Sequence, residues 1–84
     1  MTYRVLLSKK ADHFLKRLQN TDQERIRNKL KELSNRPELG KPLVGKLSGL
    51  WSLRTGDYRA IYQIRKNELI IFVLQIGHRK NIYS

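Results

Sequence analysis

Three β-prone runs, Leu47 to Arg54, Tyr58 to Arg65 and Leu69 to Ile76, follow one another with turn signals only at Thr55-Gly56 and Lys66-Asn67. A parallel crossover needs a dozen or more residues, so joins this short impose antiparallel pairing and a three-strand meander. The third run is apolar at nearly every position and must lie inside the sheet or be covered on both faces. The middle run carries Arg59, Gln63 and Arg65 on one parity, so one sheet face stays partly polar while the other packs on something apolar.

The upstream half supplies that cover. Thr2 to Leu7 is short, β-prone and partly alternating, which predicts an opening strand. Ser8 is placed to cap a helix on which Ala11, Phe14, Leu15 and Leu18 fall on one face. Thr21 followed by Glu24 has the spacing of a capping box, predicting a second helix whose apolar face is Ile26, Leu30 and Leu33 and which stops before Pro37. Glu38 to Lys46, with Gly40, Pro42 and Gly45, reads as a connecting loop. The expected fold is α+β in one domain, residues 1–84: an N-terminal strand, an antiparallel helical hairpin, then the meander completing one sheet with both helices on one face.

Charge narrows the function. Eighteen Lys and Arg against seven Asp and Glu give a net charge of +11, and the isoelectric point is near 10.5. Ten of the basic residues lie in residues 1–40 and eight in residues 41–84, but the second half holds only Asp57 and Glu68 as acids. Such an imbalance points to a polyanionic partner. With no cysteine, two histidines and few acids, neither a disulfide nor a metal site is expected, and no cofactor is implied. The N-terminus has no apolar signal core, and Leu69 to Leu74 is too short to span a bilayer, so a cytoplasmic protein without a membrane partner is expected.

Arg54, Arg59 and Arg79 stand where strands start or stop. Guanidinium groups donate bidentately to phosphate and stay charged at any physiological pH, so three of them held by a rigid sheet suit a phosphate-handling site. Register tests the idea. With a two-residue turn at Lys66-Asn67, Arg59 pairs with Leu74 and Arg79 falls on the opposite face. A three-residue turn, or a bulge near Gly77, brings both to one face, and an irregularity is predicted at one of these places. His78 carries an imidazole that can serve as an acid or base, or else as a structural or partner-contacting group, its parity opposing that of Arg79. Tyr83 can stack on a base, supply a phenolic proton or cover apolar surface. Trp51, Tyr58 and Tyr62 are assigned to the core or sheet surface, and Lys41, Lys46 and the helix lysines to non-specific attraction.

Gly45-Lys46-Leu47-Ser48-Gly49-Leu50-Trp51-Ser52-Leu53-Arg54, Gly56-Asp57-Tyr58-Arg59-Ala60-Ile61-Tyr62 and Gly77-His78-Arg79-Lys80-Asn81-Ile82-Tyr83 together resemble the RelE/ParE toxin superfamily. The likeness covers nearly the whole chain. Its RelE branch implies a metal-independent endoribonuclease that cuts mRNA in the ribosomal A site by 2′-hydroxyl attack and is silenced by a cognate acidic antitoxin. The ParE branch implies gyrase poisoning, and a catalytically degenerate RNA-binding member is a further alternative. By motif position, Arg59 and Arg79 would stabilise the scissile phosphate, with Tyr83 stacking on or orienting the substrate near the 2′-hydroxyl. Arg54, Lys46, His78 and Lys80 would contact the substrate. Ser52 stands where the best-known ribosome-dependent members have a lysine, which leaves the general base unassigned. The longer C-terminal helix of some members has no counterpart here, implying an antitoxin that does not work by displacing one.

Overall fold

A computed structural model describes residues 2–82. Its sheet is built from β1 (Arg4–Leu7), β2 (Lys41–Pro42), β3 (Trp51–Thr55), β4 (Tyr58–Arg65) and β5 (Ile70–His78), in the order β1-β5-β4-β3-β2. Helices α1 (Lys9–Lys16) and α2 (Asn20–Asn35) pack on one face. The meander forms as its short joins require, and β5, the most apolar strand, lies between β4 and β1. β1 runs parallel to β5, because the chain crosses over the face through both helices before returning.

Local chemistry explains most boundaries. The Ser8 hydroxyl accepts from the Ala11 N–H at 3.0 Å and donates to the Leu74 carbonyl at 2.7 Å, so one side chain caps α1 and ties it to β5. The capping box at Thr21 and Glu24 does not form. α2 begins earlier, after Gln19, and Thr21 lies inside its first turn. Gln23 instead reaches back to the carbonyls of Leu18 at 2.8 Å and Lys16 at 3.2 Å, closing the end of α1. α2 stops at Asn35, ahead of Pro37, as expected.

The core lies between helices and sheet. Ala11 and Leu15 of α1 and Ile26, Leu30 and Leu33 of α2 meet Leu53, Ala60, Tyr62, Ile71, Val73 and Ile76. Each large aliphatic side chain buried here contributes about 1.5–3 kcal/mol, so this layer dominates stability. Among the described residues no helix is long and apolar enough to cross a membrane.

The segment between Glu38 and Lys46 departs from a plain loop. Lys41–Pro42 pairs with β3 as a fifth strand, flanked by single 3-10 turns at Pro37–Leu39 and Gly45–Leu47. Two residues carry no periodicity, so nothing local announces this strand. Tyr62, fully buried, holds it in place: its hydroxyl donates to the Pro37 carbonyl at 2.7 Å and accepts from the Gly40 N–H at 3.1 Å. Gly40 is needed because a Cβ there would collide with the Ser52 carbonyl and lie 2.8 Å from the Tyr62 hydroxyl.

Candidate functional site

The face of the sheet away from the helices carries the arginines. Arg54 stands directly opposite Arg59 across the β3–β4 pair, and Arg59 in turn opposite Gly77 on β5. The hairpin joining β3 and β4 has two loop residues, Gly56 and Asp57, with Gly56 at φ +62, a conformation glycine adopts without strain. This loop sets the Arg54–Arg59 pairing. Like charges facing each other across two strands are destabilising, and two guanidinium groups so placed are suited to an anion between them.

The phase of β5 decides whether Arg79 joins them. Arg65 pairs with Ile70, making the connection four residues long, with Leu69 at φ +54; the expected two- or three-residue turn does not form. Between the Tyr62–Val73 and Ile61–Gln75 pairs the register slips by one, so Leu74 is an extra, bulged residue. The bulge lies three residues before Gly77, and its carbonyl is the one that Ser8 satisfies. Gly77 is not itself the irregularity: a Cβ there would make an ordinary 3.8 Å contact with Ile82 Cδ1. Beyond β5 the ladder continues through the Arg79 N–H, which donates to the Asp57 carbonyl at 3.0 Å. Strand alternation carried one residue past β5 gives Arg79 the backbone parity of Gly77 and Arg59, but its side chain lines a separate hollow from the cleft lined by Arg54 and Arg59.

Arg59 Nη1 donates to the Ser52 hydroxyl at 3.3 Å. Ser52 is only 4% exposed and Arg59 half-buried, so this guanidinium lies along β3 over the serine. Arg65, on the same face at the other end of β4, behaves differently. It donates to Gln63 Oε1 at 2.9 Å and lies 5.1 Å over the Phe72 ring, a structural use of the charge.

The other expected contacts separate. Lys46, exposed in the 3-10 turn Gly45–Leu47, borders an apolar depression of about 480 Å³ floored by Ile61 and Leu74 on the arginine face. Lys80 is exposed beside Arg79, where the two line a hollow with Asp57 and His78. His78 does not join the arginines. It pairs with Tyr58, whose parity is the helix side, and its ring packs 4.9 Å from Tyr58 and 6.3 Å from Phe14. Tyr83 lies outside the described residues. Tyr58 donates to Asp22 Oδ2 at 3.2 Å; burial first and this bond second raise its phenolic pKa above the usual 10.0.

Two lysines that sequence reasoning assigned to non-specific attraction line a cleft with Arg54 and Arg59. Lys41 is in register with Ser52, and Lys29 of α2 lines the same cleft as Lys41, Arg54 and Arg59. Only the pairing of β2 reveals Lys41; Gly40, which permits that pairing, was the one local hint. Among the described residues no three His, Asp or Glu side chains gather as metal ligands would.

This architecture has known counterparts. The family model for the ParE toxin of the type II toxin–antitoxin system parDE matches residues 5–83. Toxin RelG of Mycobacterium tuberculosis is 40% identical over 53 residues, 62% of this chain and 61% of that protein. Toxin RelE of the same organism is 41% identical over 51 residues, 61% of this chain and 53% of that protein. The match therefore spans less than two thirds of the length of either toxin. A chain in the crystal structure of the M. tuberculosis toxin–antitoxin complex RelBE2 superposes with a TM-score of 0.86 at 30% identity, covering 94% of this chain and all of that one.

Proposed function

This chain belongs to the ParE-toxin family of type II toxin–antitoxin systems, within the RelE/ParE superfamily, and from that membership we propose a metal-independent endoribonuclease that cleaves mRNA in the ribosomal A site. The observation that supports the reading is the cross-strand pair Arg54 and Arg59 lining one cleft, with Arg79 following β5 in a neighbouring hollow with Asp57, His78 and Lys80. In this reaction the 2′-oxygen attacks the adjacent phosphorus and gives up its proton, and the P–O5′ bond breaks. The 5′-oxygen gains a proton, leaving a 2′,3′-cyclic phosphate and a 5′-hydroxyl. Charge accumulates on the phosphorane oxygens, where preorganised guanidinium donors stabilise it. No carboxylate or imidazole projects from β3, β4 or β5 on that face, so the strands supply electrostatic stabilisation and proton transfer falls to groups elsewhere.

A cognate acidic antitoxin is the proposed regulatory partner. A +11 chain is silenced most directly by a segment of opposite charge over its basic face, and the RelBE2 relative is a toxin–antitoxin complex. Arg79→Ala should abolish growth inhibition and lower A-site cleavage by about 10²–10³-fold, the loss typical of removing one transition-state donor. Undiminished cleavage by the folded variant, measured on programmed ribosomes, would remove Arg79 from the site.

The family description itself favours a second reading, a gyrase poison of the ParE type. Supercoiling by purified gyrase separates the two: inhibition by the wild-type chain, with mRNA left intact on the ribosome, selects the poison.

A further inference from the structure

On the uncovered face the strands form two neighbouring rows. One runs Lys41, Ser52, Ile61 and Gln75 across β2, β3, β4 and β5; the next runs Arg54, Arg59 and Gly77 across β3, β4 and β5. The second row has no member on β2, because that strand begins at Lys41. The margin of β3 beside Arg54 is therefore left without a neighbouring strand, and a cleft of about 280 Å³ opens there between β2, β3 and α2. Its cations come from four separate elements: Lys29 of α2, Lys41 of β2, Arg54 of β3 and Arg59 of β4. No carboxylate lines it. The acid nearest in chain to Lys29 is Glu32, which meets its ammonium at 3.6 Å on the exposed helix surface and offsets part of that one charge. Lys41 is exposed, and β2 is held by Tyr62 and by the close approach of Gly40 to Ser52. A lysine displayed on so firmly anchored a two-residue strand is positioned, not merely attached to a loop.

We propose that this cleft is a second phosphate subsite, in which Lys41 takes the backbone phosphate of a ribonucleotide strand next to the one held by Arg59 and Arg79. The inference rests on the reading of the chain as RNA-binding and extends it to the path of the strand, which leaves the arginines toward β2. Lysine suits this role because a compact ammonium neutralises a spectator phosphate without the planar fork used at a reacting one.

The test uses 2′-O-methyl oligoribonucleotides, which bind without being cut, titrated by fluorescence anisotropy over a range of salt. Lys41→Ala and Lys41→Gln should weaken binding several-fold and lower the slope of log affinity against log salt by about 0.7, the value of one phosphate contact on a single strand. Lys41→Arg should keep the wild-type slope, as should Lys9→Ala, which removes an exposed lysine from α1. The Lys41 effect should be present with a trinucleotide, which has two phosphodiesters, and absent with a dinucleotide, which has one. If Lys41→Ala and Lys9→Ala behave alike, the subsite is refuted while RNA binding stands. Equal dependence on Lys41 for the dinucleotide or for inorganic phosphate would also overturn it, since the lysine would then serve the reacting phosphate or a free anion. If the wild-type chain binds no oligonucleotide, the RNA reading itself fails, and the subsite with it.

Discussion

The two faces of the sheet divide the protein. Toward the helices, Leu53, Ala60, Tyr62, Ile71, Val73 and Ile76 are at most 5% exposed and pack on two helices. Away from the helices, the same three strands carry Ser52, Arg54, Arg59, Gln63, Arg65 and Gln75, with a like-charged pair directly across β3 and β4. The helix-side face gains its free energy from burial, whereas the other buries Ser52 and Ile61 but also sets two like charges opposite each other. The difference teaches where to look for function: on a small sheet, a like-charged pair opposite a well-packed face is the place to test for anion binding. Arg65 makes the contrast sharper, since it shares that face but is engaged by Gln63 and Phe72.

Substitutions on the two faces should separate in kind. The largest effect on stability is expected from Tyr62→Ala, which empties a fully buried ring site, removes its packing on Trp51 and releases both hydrogen bonds to the Pro37–Gly40 segment. A loss of about 3–5 kcal/mol in the urea unfolding free energy follows from the size of the void. A loss below 1 kcal/mol would show that the helix-side layer does not anchor β2.

Arg54→Ala should move stability the other way. Relief of the pair with Arg59 should raise the unfolding free energy by about 0.2–1 kcal/mol, while affinity for an uncleavable oligoribonucleotide falls. A variant that loses stability and keeps its affinity would make Arg54 a structural residue like Arg65, and the contrast between the faces would fail.

The smallest effect concerns alkaline pH. Burial, the leading cause, raises the Tyr62 pKa above 10.0, partly offset by the bond from the Gly40 N–H. The folded state therefore retains this proton at a pH where the unfolded chain has lost it. The contribution to stability is complete below about pH 10 and is lost as pH rises from there through the folded value. Tyr62→Phe should flatten that decline in melting temperature, but Arg54→Ala should leave it unchanged. An identical alkaline profile for wild type and Tyr62→Phe would exclude Tyr62 as its source.

Much of this was legible in residue order. Thr55-Gly56 announced a tight hairpin, whose loop falls one residue later at Gly56-Asp57, and the spacing of Ala11 and Leu15, or of Ile26, Leu30 and Leu33, suits a helix with one buried side. The three arginines were legible as candidates because charge at strand ends needs no tertiary information. The parity opposing His78 to Arg79 was legible too, and the structure seats the histidine ring against Phe14 and Tyr58. The Thr21–Glu24 capping signal misled because α2 starts after Gln19, which leaves Thr21 inside its first turn, while Gln23 closes the end of α1.

What residue order determined, then, is the set of elements and which of their faces must be buried, since turn chemistry and apolar period act over a few neighbours. Tertiary structure decided the phase of β5 and the existence of β2. The bulge at Leu74 is held where Ser8, sixty-six residues away, accepts the task of pairing its carbonyl, and that one-residue slip returns Arg79 to the parity of Arg59. Lys41 enters the site only because a buried tyrosine hydroxyl and a glycine without a side chain let a two-residue strand lie against β3. Both depend on contacts between segments distant in the chain, whose geometry local propensity does not encode.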